Sequence, residues 1–104
     1  MNRYNVMRSN NLIDSIGNTP IVELPSLSPQ KEVHIFAKLE GSNPTGSVKD
    51  RIARGMIQSA ERAGQLSKEK TILEPTSGNT GISLAMVTQR LGYKFTAVMP
   101  DNVS

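Results

Sequence analysis

Apolar residues in the first third of the chain alternate with other residues, as they do in strands with one buried face. The segment 32–40 shows this spacing most clearly. Its alternating apolar positions are Val33, Ile35, Ala37 and Leu39, separated by His34, Phe36 and Lys38. A second, shorter strand is predicted at Ile21–Leu24, after a short helical turn and the turn-forming run Gly17–Pro20.

Two later segments carry the spacing of amphipathic helices. The first helix is predicted from Val48 to Ala63, with Gly64 as its C-cap, and the second from Thr80 to Leu91, with Gly92 as its end. We expect the apolar stripe of each helix to face the core. The stripe of the first helix contains Val48, Ile52, Met56, Ile57, Ala60 and Ala63, and that of the second contains Ile82, Ala85, Met86 and Leu91.

Short apolar runs at Thr71–Glu74 and Lys94–Pro100 predict two further strands. From Val48 onward the order is therefore helix, strand, helix, strand, which predicts an α/β fold with a parallel sheet. The chain stops at Ser104, where a further helix would begin. Since an unfinished α/β unit leaves part of its sheet uncovered, we expect the chain to be a fragment of a longer protein.

Composition excludes several classes of site. The 104 residues contain no cysteine and one histidine, so neither a disulfide framework nor a thiolate or multi-histidine metal site is available. The net charge of +3 is dispersed, with two Tyr and two Phe, which argues against nucleic-acid binding. No segment has the length of a membrane span or the pattern of a signal peptide, so we expect a cytoplasmic location with no membrane partner.

Lys49 occupies an electrostatically unfavourable position. Ser47 is predicted to be the helix N-cap, with Asp50 as the acidic half of a capping box, which places Lys49 in the positive first turn. One interpretation is a solvated lysine that costs only about 0.3–1 kcal/mol. In the other, burial and the helix dipole lower the pKa of the amine, which favours a nucleophile that forms a Schiff base with a carbonyl cofactor.

The loop TSGNTG, residues 76–81, follows a predicted strand and opens a predicted helix. Its two glycines allow close approach of a ligand, and its hydroxyl and amide side chains lie beside free helix N–H groups, an arrangement that suits a carboxylate or a phosphate. The loop is neither a Walker A motif nor G-x-G-x-x-G. A simple capped turn between strand and helix remains the alternative.

The two motifs together resemble one enzyme family. NPTGSVKDR around Lys49, followed by EPTSGNTG, is similar to the cysteine synthases, pyridoxal-phosphate enzymes with the tryptophan-synthase-β-like fold (fold type II). IGNTPIVEL, KLEGSNP and MPDNVS match the same family, so that the resemblance extends from Leu12 to Ser104 and is strongest to the B-type cysteine synthases and O-phosphoserine sulfhydrylases.

The resemblance implies a partial three-layer α/β unit, truncated after residue 104. Residues 1–11 would be a loosely ordered arm, residues 12–40 would contribute strands to the larger cofactor domain, and residues 41–104 would form an incomplete N-terminal α/β domain. The glycine-rich loop that holds the cofactor phosphate in the family has no counterpart in this chain. We therefore expect the 104 residues to be inactive by themselves.

The resemblance also assigns a chemistry. Lys49 would hold pyridoxal 5'-phosphate as an internal aldimine, and Asn79 would hydrogen-bond the phenolic oxygen of the ring. The substrate carboxylate would be bound by Thr76, Ser77, Gly78, Asn79 and Thr80. The implied reaction is β-replacement on O-acetylserine or O-phosphoserine, with a sulfur donor, to give cysteine. The implied partners are the C-terminus of serine acetyltransferase and, in the full-length protein, a second copy of the chain.

Two alternatives stay open. Cystathionine β-synthase shares GSVKDR and EPTSGNTG, so the chain could belong to an enzyme of that type. The chain could also be a catalytically incomplete fragment that has no function of its own, or that binds only a carboxylate or a peptide C-terminus.

Overall fold

A computed structural model of the chain describes residues 10–76 and 78–102. Most of the predicted N-terminal arm and Ser77 lie outside the described residues. The described elements are, in chain order, β1 (Ile21–Glu23), β2 (Phe36–Lys38), α1 (Lys49–Arg62), β3 (Thr71–Pro75), α2 (Asn79–Leu91) and β4 (Lys94–Val98), with short 3-10 turns at Pro25–Leu27 and Glu40–Ser42. No helix in the described ranges is long and apolar enough to cross a membrane.

The strands form two separate pairs. β1 and β2 are antiparallel, with Ile21 opposite Lys38, whereas β3 and β4 are parallel, with Thr71 opposite Lys94. The parallel ladder continues beyond Pro75, because the Thr76 amide donates to the carbonyl oxygen of Val98 at 2.9 Å. The predicted α/β fold with a parallel sheet is confirmed.

β2 is shorter than the alternating pattern predicted. The expected strand covered residues 32–40, but only Phe36–Lys38 pair with β1, and Val33 is 42% exposed. The amide of Leu24 still donates to Ile35 at 2.8 Å, and the next residue is Pro25. Since proline has no N–H to donate, the ladder ends there.

Both helices have close to the predicted bounds. α1 begins and ends one residue inside the prediction, and α2 begins one residue earlier than predicted. Gly92 is the C-cap of α2 as predicted, whereas the C-cap of α1 is Ala63 and the predicted Gly64 follows it. Both glycines have φ angles in the left-handed region that favours glycine, 70° for Gly64 and 82° for Gly92.

The prediction of which face each helix buries was largely wrong. α1 buries Asp50, Ala53 and Ile57, whereas Ile52 and Met56 of the predicted stripe are exposed. Of the predicted α1 stripe, Ile57 reaches the core, where it lies with Ala53. α2 likewise buries Gly81, Ser83, Leu84, Val87 and Thr88 and leaves Ile82 and Ala85 exposed.

The core lies between the two helices and the N-terminal turn. Its buried hydrophobic residues are Ile13, Ile16, Ala53, Ile57, Leu84 and Val87. Partly buried residues of the parallel sheet, Ile72 and Phe95, pack against it. The core therefore joins α1 to α2.

Candidate functional site

Lys49 is the first residue of α1 and is half-buried. Its backbone N–H donates to the hydroxyl oxygen of Ser47 at 3.0 Å, so Ser47 satisfies a helix-terminal donor, although Val48 is the N-cap residue. The loop before it turns at Gly46, which has a φ of 85° and donates to the carbonyl of Asn43 at 2.8 Å. The turn delivers a lysine side chain at the positive end of α1.

Asp50 does not form the predicted capping box. Its side chain is 0% exposed and accepts three hydrogen bonds away from the helix cap. The donors are the Thr45 backbone N–H at 2.8 Å, the Thr45 hydroxyl at 2.5 Å and the Ser83 hydroxyl at 2.6 Å. Because Ser83 belongs to α2, the Asp50 carboxylate connects the loop before α1 to α2. It is not bonded to Ser47, as the predicted capping box would require.

The loop 76–81 connects β3 to α2. The Thr76 hydroxyl oxygen accepts from the Gly81 N–H at 3.0 Å, inside the first turn of the helix. Gly81 permits this contact, because a Cβ at that position would lie 2.6 Å from Thr76 Cγ2. The N-cap residue Gly78 is exposed, and a Cβ added to it would meet no atom within 4 Å, so the helix start opens onto free space.

The other residues of this loop that are predicted to bind a ligand are Asn79, Thr80 and Ser77. Asn79 is exposed and is the first residue of α2, and Thr80 is half-buried and is the second. Ser77 lies outside the described residues. The predicted nest therefore coincides with the real start of a helix, where unpaired amides and the dipole attract an anion.

The first turn of α1 is bonded to the second turn of α2. The hydrogen bond from Ser83 to Asp50 joins the second residue of α1 to the fifth residue of α2. Lys49 and Asn79, the first residues of the two helices, therefore lie at the same end of the helix pair. Two positive helix ends beside an amine make this end suitable for an anionic ligand.

A second polar network supports the loop that precedes Lys49. Glu40 accepts from Arg51 Nε at 2.6 Å and Nη2 at 3.1 Å, from Asn43 Nδ2 at 3.2 Å, and from the hydroxyl of Thr19. The hydrogen bonds from Arg51 and Thr19 lower the pKa of Glu40 to about 2. Asn43 in turn accepts from the Gly17 amide at 2.8 Å. The network ties two separate segments, residues 17–19 and 40–43, to α1.

Sequence reasoning missed these supporting residues. Thr45 and Ser83 are ordinary loop and helix residues in the sequence, and Asp50 was interpreted as a local cap. The sequence gives no signal for this pair, because the apolar stripes predicted for the two helices include neither Asp50 nor Ser83. Among the described residues no cluster of His, Cys, Asp or Glu could hold a metal ion.

The residues at this end of the helix pair fit part of a pyridoxal phosphate site. Such a group needs an amine for its carbonyl and donors for its negative charges. Lys49 can supply the amine, and the open start of α2 at Gly78 and Asn79 can supply backbone and side-chain donors.

A family model described as "Pyridoxal-phosphate dependent enzyme" matches residues 12–104. A cysteine synthase from Flavobacterium sp. is 52% identical over 98 residues, which are 94% of this chain and 32% of that protein. Cysteine synthase B from Salmonella typhimurium is 50% identical over 95 residues, which are 91% of this chain and 31% of that protein. The chain thus spans about a third of the length of these curated relatives.

The chain is also similar to a protein of solved structure. The O-acetylserine-dependent cystathionine β-synthase from Helicobacter pylori matches with a TM-score of 0.85 and 39% sequence identity, covering 95% of this chain and 33% of that chain. The likeness therefore covers nearly the whole of this chain.

Proposed function

The chain belongs to the family of pyridoxal-phosphate-dependent enzymes, and from this premise we propose that it is part of a cysteine synthase. The whole protein would replace the β-substituent of O-acetylserine or O-phosphoserine with sulfur from a sulfur donor to give cysteine. The observation that carries this proposal is the placement of Lys49 and the 76–81 loop at one end of a joined helix pair, in a chain 52% identical to a cysteine synthase.

Lys49 is proposed as the residue that holds pyridoxal phosphate and as the base that moves the α-proton of the substrate. Pyridoxal phosphate, when bound, supplies an electron sink for the negative charge that develops on the α-carbon. Lys49 is half-buried in the first turn of α1, beside the start of the helix. A neutral amine can both attack a carbonyl and accept a proton.

The 76–81 loop is proposed to bind the substrate carboxylate and to orient the cofactor ring. The oxygen of Thr76 already accepts a hydrogen bond from Gly81, so its own proton is available to donate to a carboxylate. The exposed amide of Asn79 would bind the phenolic oxygen of the ring. Ser77, Gly78 and Thr80 would complete the carboxylate site with hydroxyl and backbone donors.

A second candidate function is that of a cystathionine β-synthase. The likeness to the Helicobacter pylori enzyme, with a TM-score of 0.85, favours it, and both reactions need the same lysine and carboxylate site. The two differ in the sulfur donor, so turnover with homocysteine in place of sulfide would favour this second function. The described residues that are proposed to bind the amino-acid substrate would have the same role in either reaction.

Three finer proposals follow from the family resemblance. The separation of the β1–β2 pair from the β3–β4 pair supports a division near residue 40 between strands of a larger domain and an N-terminal α/β domain. The carboxylate site would also accept a peptide C-terminus such as that of serine acetyltransferase, even if this chain lacks catalysis. The whole protein is proposed to act as a homodimer in the cytoplasm.

The first prediction tests Lys49. In the whole protein that carries this chain, added pyridoxal phosphate should give the visible absorbance band of a lysine-bound cofactor, and borohydride reduction should fix the cofactor to Lys49. Lys49→Ala should abolish both signals, because no other amine lies at the first turn of α1. Peptide mapping by mass spectrometry locates the modified lysine.

Lys38→Ala provides the control, because Lys38 is held by the carbonyl and hydroxyl of Thr19 at 2.7 and 2.6 Å. This variant should retain the band and the label. A band that persists in Lys49→Ala, or a label on another lysine, would remove Lys49 from the proposed role.

A further inference from the structure

We infer that Asp50 is a positioning residue that, through Thr45 and Ser83, sets the placement of Lys49 relative to the 76–81 loop. The inference rests on the proposed function, because it concerns the geometry between the lysine and the substrate loop. Asp50 follows Lys49 directly, and its partner Ser83 lies in the first half of α2, near the end of the loop.

The bonds of Asp50 span three segments. One carboxylate oxygen accepts from the hydroxyls of Thr45 and Ser83, and the other accepts from the Thr45 backbone N–H. Asp50 and Ser83 are each 0% exposed, so water does not compete for these bonds. The same carboxylate thus connects the turn before α1, the first turn of α1 and α2.

The rest of the contact between the helices cannot set this placement as sharply. The buried apolar side chains of the two helices, Ala53 and Ile57 on α1 and Leu84 and Val87 on α2, belong to one hydrophobic cluster. Apolar contacts are not directional, so they tolerate small shifts along the helix axes. Hydrogen bonds to a buried carboxylate depend on both distance and angle, and this one lies beside the reacting lysine.

Two substitutions separate the effect of the hydrogen bonds of Asp50 from the effect of its negative charge. In Asp50→Asn the amide nitrogen can replace the oxygen that faces Thr45 and Ser83 and donate to both hydroxyls, while the amide oxygen still accepts from the Thr45 N–H. The variant therefore keeps all three hydrogen bonds and removes the negative charge. Ser83→Ala does the reverse, because it keeps the charge and deletes the link between the helices.

The experiment measures how fast Lys49 captures pyridoxal phosphate in the whole protein, followed as borohydride-trapped label on Lys49 and as the visible band. Misplacement by a fraction of an ångström should slow Ser83→Ala by about tenfold or more. Asp50→Asn should stay within about twofold of wild type, because its hydrogen bonds persist.

Thr88→Val is the matched control. Thr88 is a buried hydroxyl of the same helix, but it donates to the Leu84 carbonyl of α2 itself at 2.6 Å. Its loss should destabilise the helix and leave the rate of capture unchanged. All variants are compared at a temperature below every unfolding transition, which each variant's melting curve establishes.

Each outcome decides the inference. Slow capture in Ser83→Ala with near-normal capture in Asp50→Asn and Thr88→Val supports it. Equal rates in Ser83→Ala and Thr88→Val would overturn it, and slow capture in Asp50→Asn would show that charge acts instead of position. If wild type gives no label on Lys49, the proposed function itself fails, which is a distinct result.

Discussion

At the scale of single residues, Gly81 and Thr76 are matched to each other. Thr76 accepts the Gly81 N–H through its hydroxyl oxygen, and its methyl group occupies the space where a Cβ of residue 81 would lie. A β-branched side chain has few alternative rotamers, and rotating it would break the hydrogen bond. The pair therefore holds the hydroxyl of Thr76 in one orientation at the start of α2.

Gly81→Ala is expected to destabilise the whole protein by about 1–3 kcal/mol, because the added methyl overpacks against Thr76. Gly55→Ala is the control, since Gly55 lies inside α1 with no atom within 4 Å of an added Cβ. It should instead stabilise by roughly 0.5–1 kcal/mol. Urea denaturation measures both changes.

Repeating the Gly81→Ala substitution in a Thr76→Ser variant tests whether the Thr76 methyl group causes the loss of stability. In Thr76→Ser the hydroxyl remains and the methyl is absent, so Gly81→Ala should cost less there than in wild type. Equal costs in the two backgrounds would contradict the proposed clash between the methyl groups.

At the scale of elements, Glu40 links the end of the β1–β2 pair to α1. Arg51 contributes two hydrogen bonds to its carboxylate, and a Cβ added to Gly17 would lie 3.1 Å from the guanidinium. The pKa of Arg51 is raised by its bond to Glu40. The link fixes the segment that leads into the turn before Lys49.

The free energy of unfolding should depend on pH through Glu40. Its pKa falls from an ordinary 4.5 to about 2 in the folded chain. The ionised form is therefore favoured by folding, so its contribution is fully present above pH 4.5 and is lost as the pH falls toward 2. Glu40→Gln should lower stability at neutral pH and flatten the curve across this window.

Denaturant titrations at several pH values measure this dependence, with Glu32→Gln, an exposed residue outside the network, as control. A Glu40→Gln protein whose stability falls as steeply as wild type between these pH values would show that other carboxylates carry the effect.

Elements were easier to predict from the sequence than the faces they bury. The ends of α1 and α2 follow from Gly64 and Gly92, whose conformational preference is local. The buried face of α1 depends instead on what α2 presents to it, and a contact built on Ala53 and Asp50 leaves Ile52 outside. Spacing within one helix carries no information about a partner helix.

The candidate site likewise contains some residues that the sequence predicts and others that it does not. Lys49 and the 76–81 loop were predicted because each motif is contiguous in the sequence. The bond between Asp50 and Ser83 joins positions 33 residues apart, and no local pattern relates them. The residues that hold the site together therefore became apparent only from the structure.

At the scale of the whole molecule, the chain leaves large apolar surfaces open. Ile21 and Leu73 are each 62% exposed, and Phe36 is 56% exposed. An apolar groove of about 470 Å³ also runs between α2 and β4, lined by Ile82, Phe95 and Met99 among others. A two-stranded ribbon such as β1–β2 has marginal stability without a covering layer.

The 104-residue chain by itself is therefore expected to bind a hydrophobic dye and to melt over a broad range, because few apolar side chains in the described ranges are fully buried. The whole protein should melt in a sharp transition with little dye bound. Circular dichroism and dye fluorescence measure the two properties. A sharp, dye-free transition of the isolated chain would contradict the expectation.

The parallel pairing of β3 with β4 has a consequence for synthesis on the ribosome. Within the described part of the chain, β3 has β4 as its hydrogen-bonding partner, and α2 lies between them in sequence. When Leu73 has emerged from the ribosome, β3 therefore cannot pair until residues 94–98 have emerged as well. The reason is that two parallel strands are joined by a long crossover connection, here the one that contains α2. During that delay an apolar strand edge is open to neighbouring chains, so we expect chaperones to bind the nascent chain at this stage.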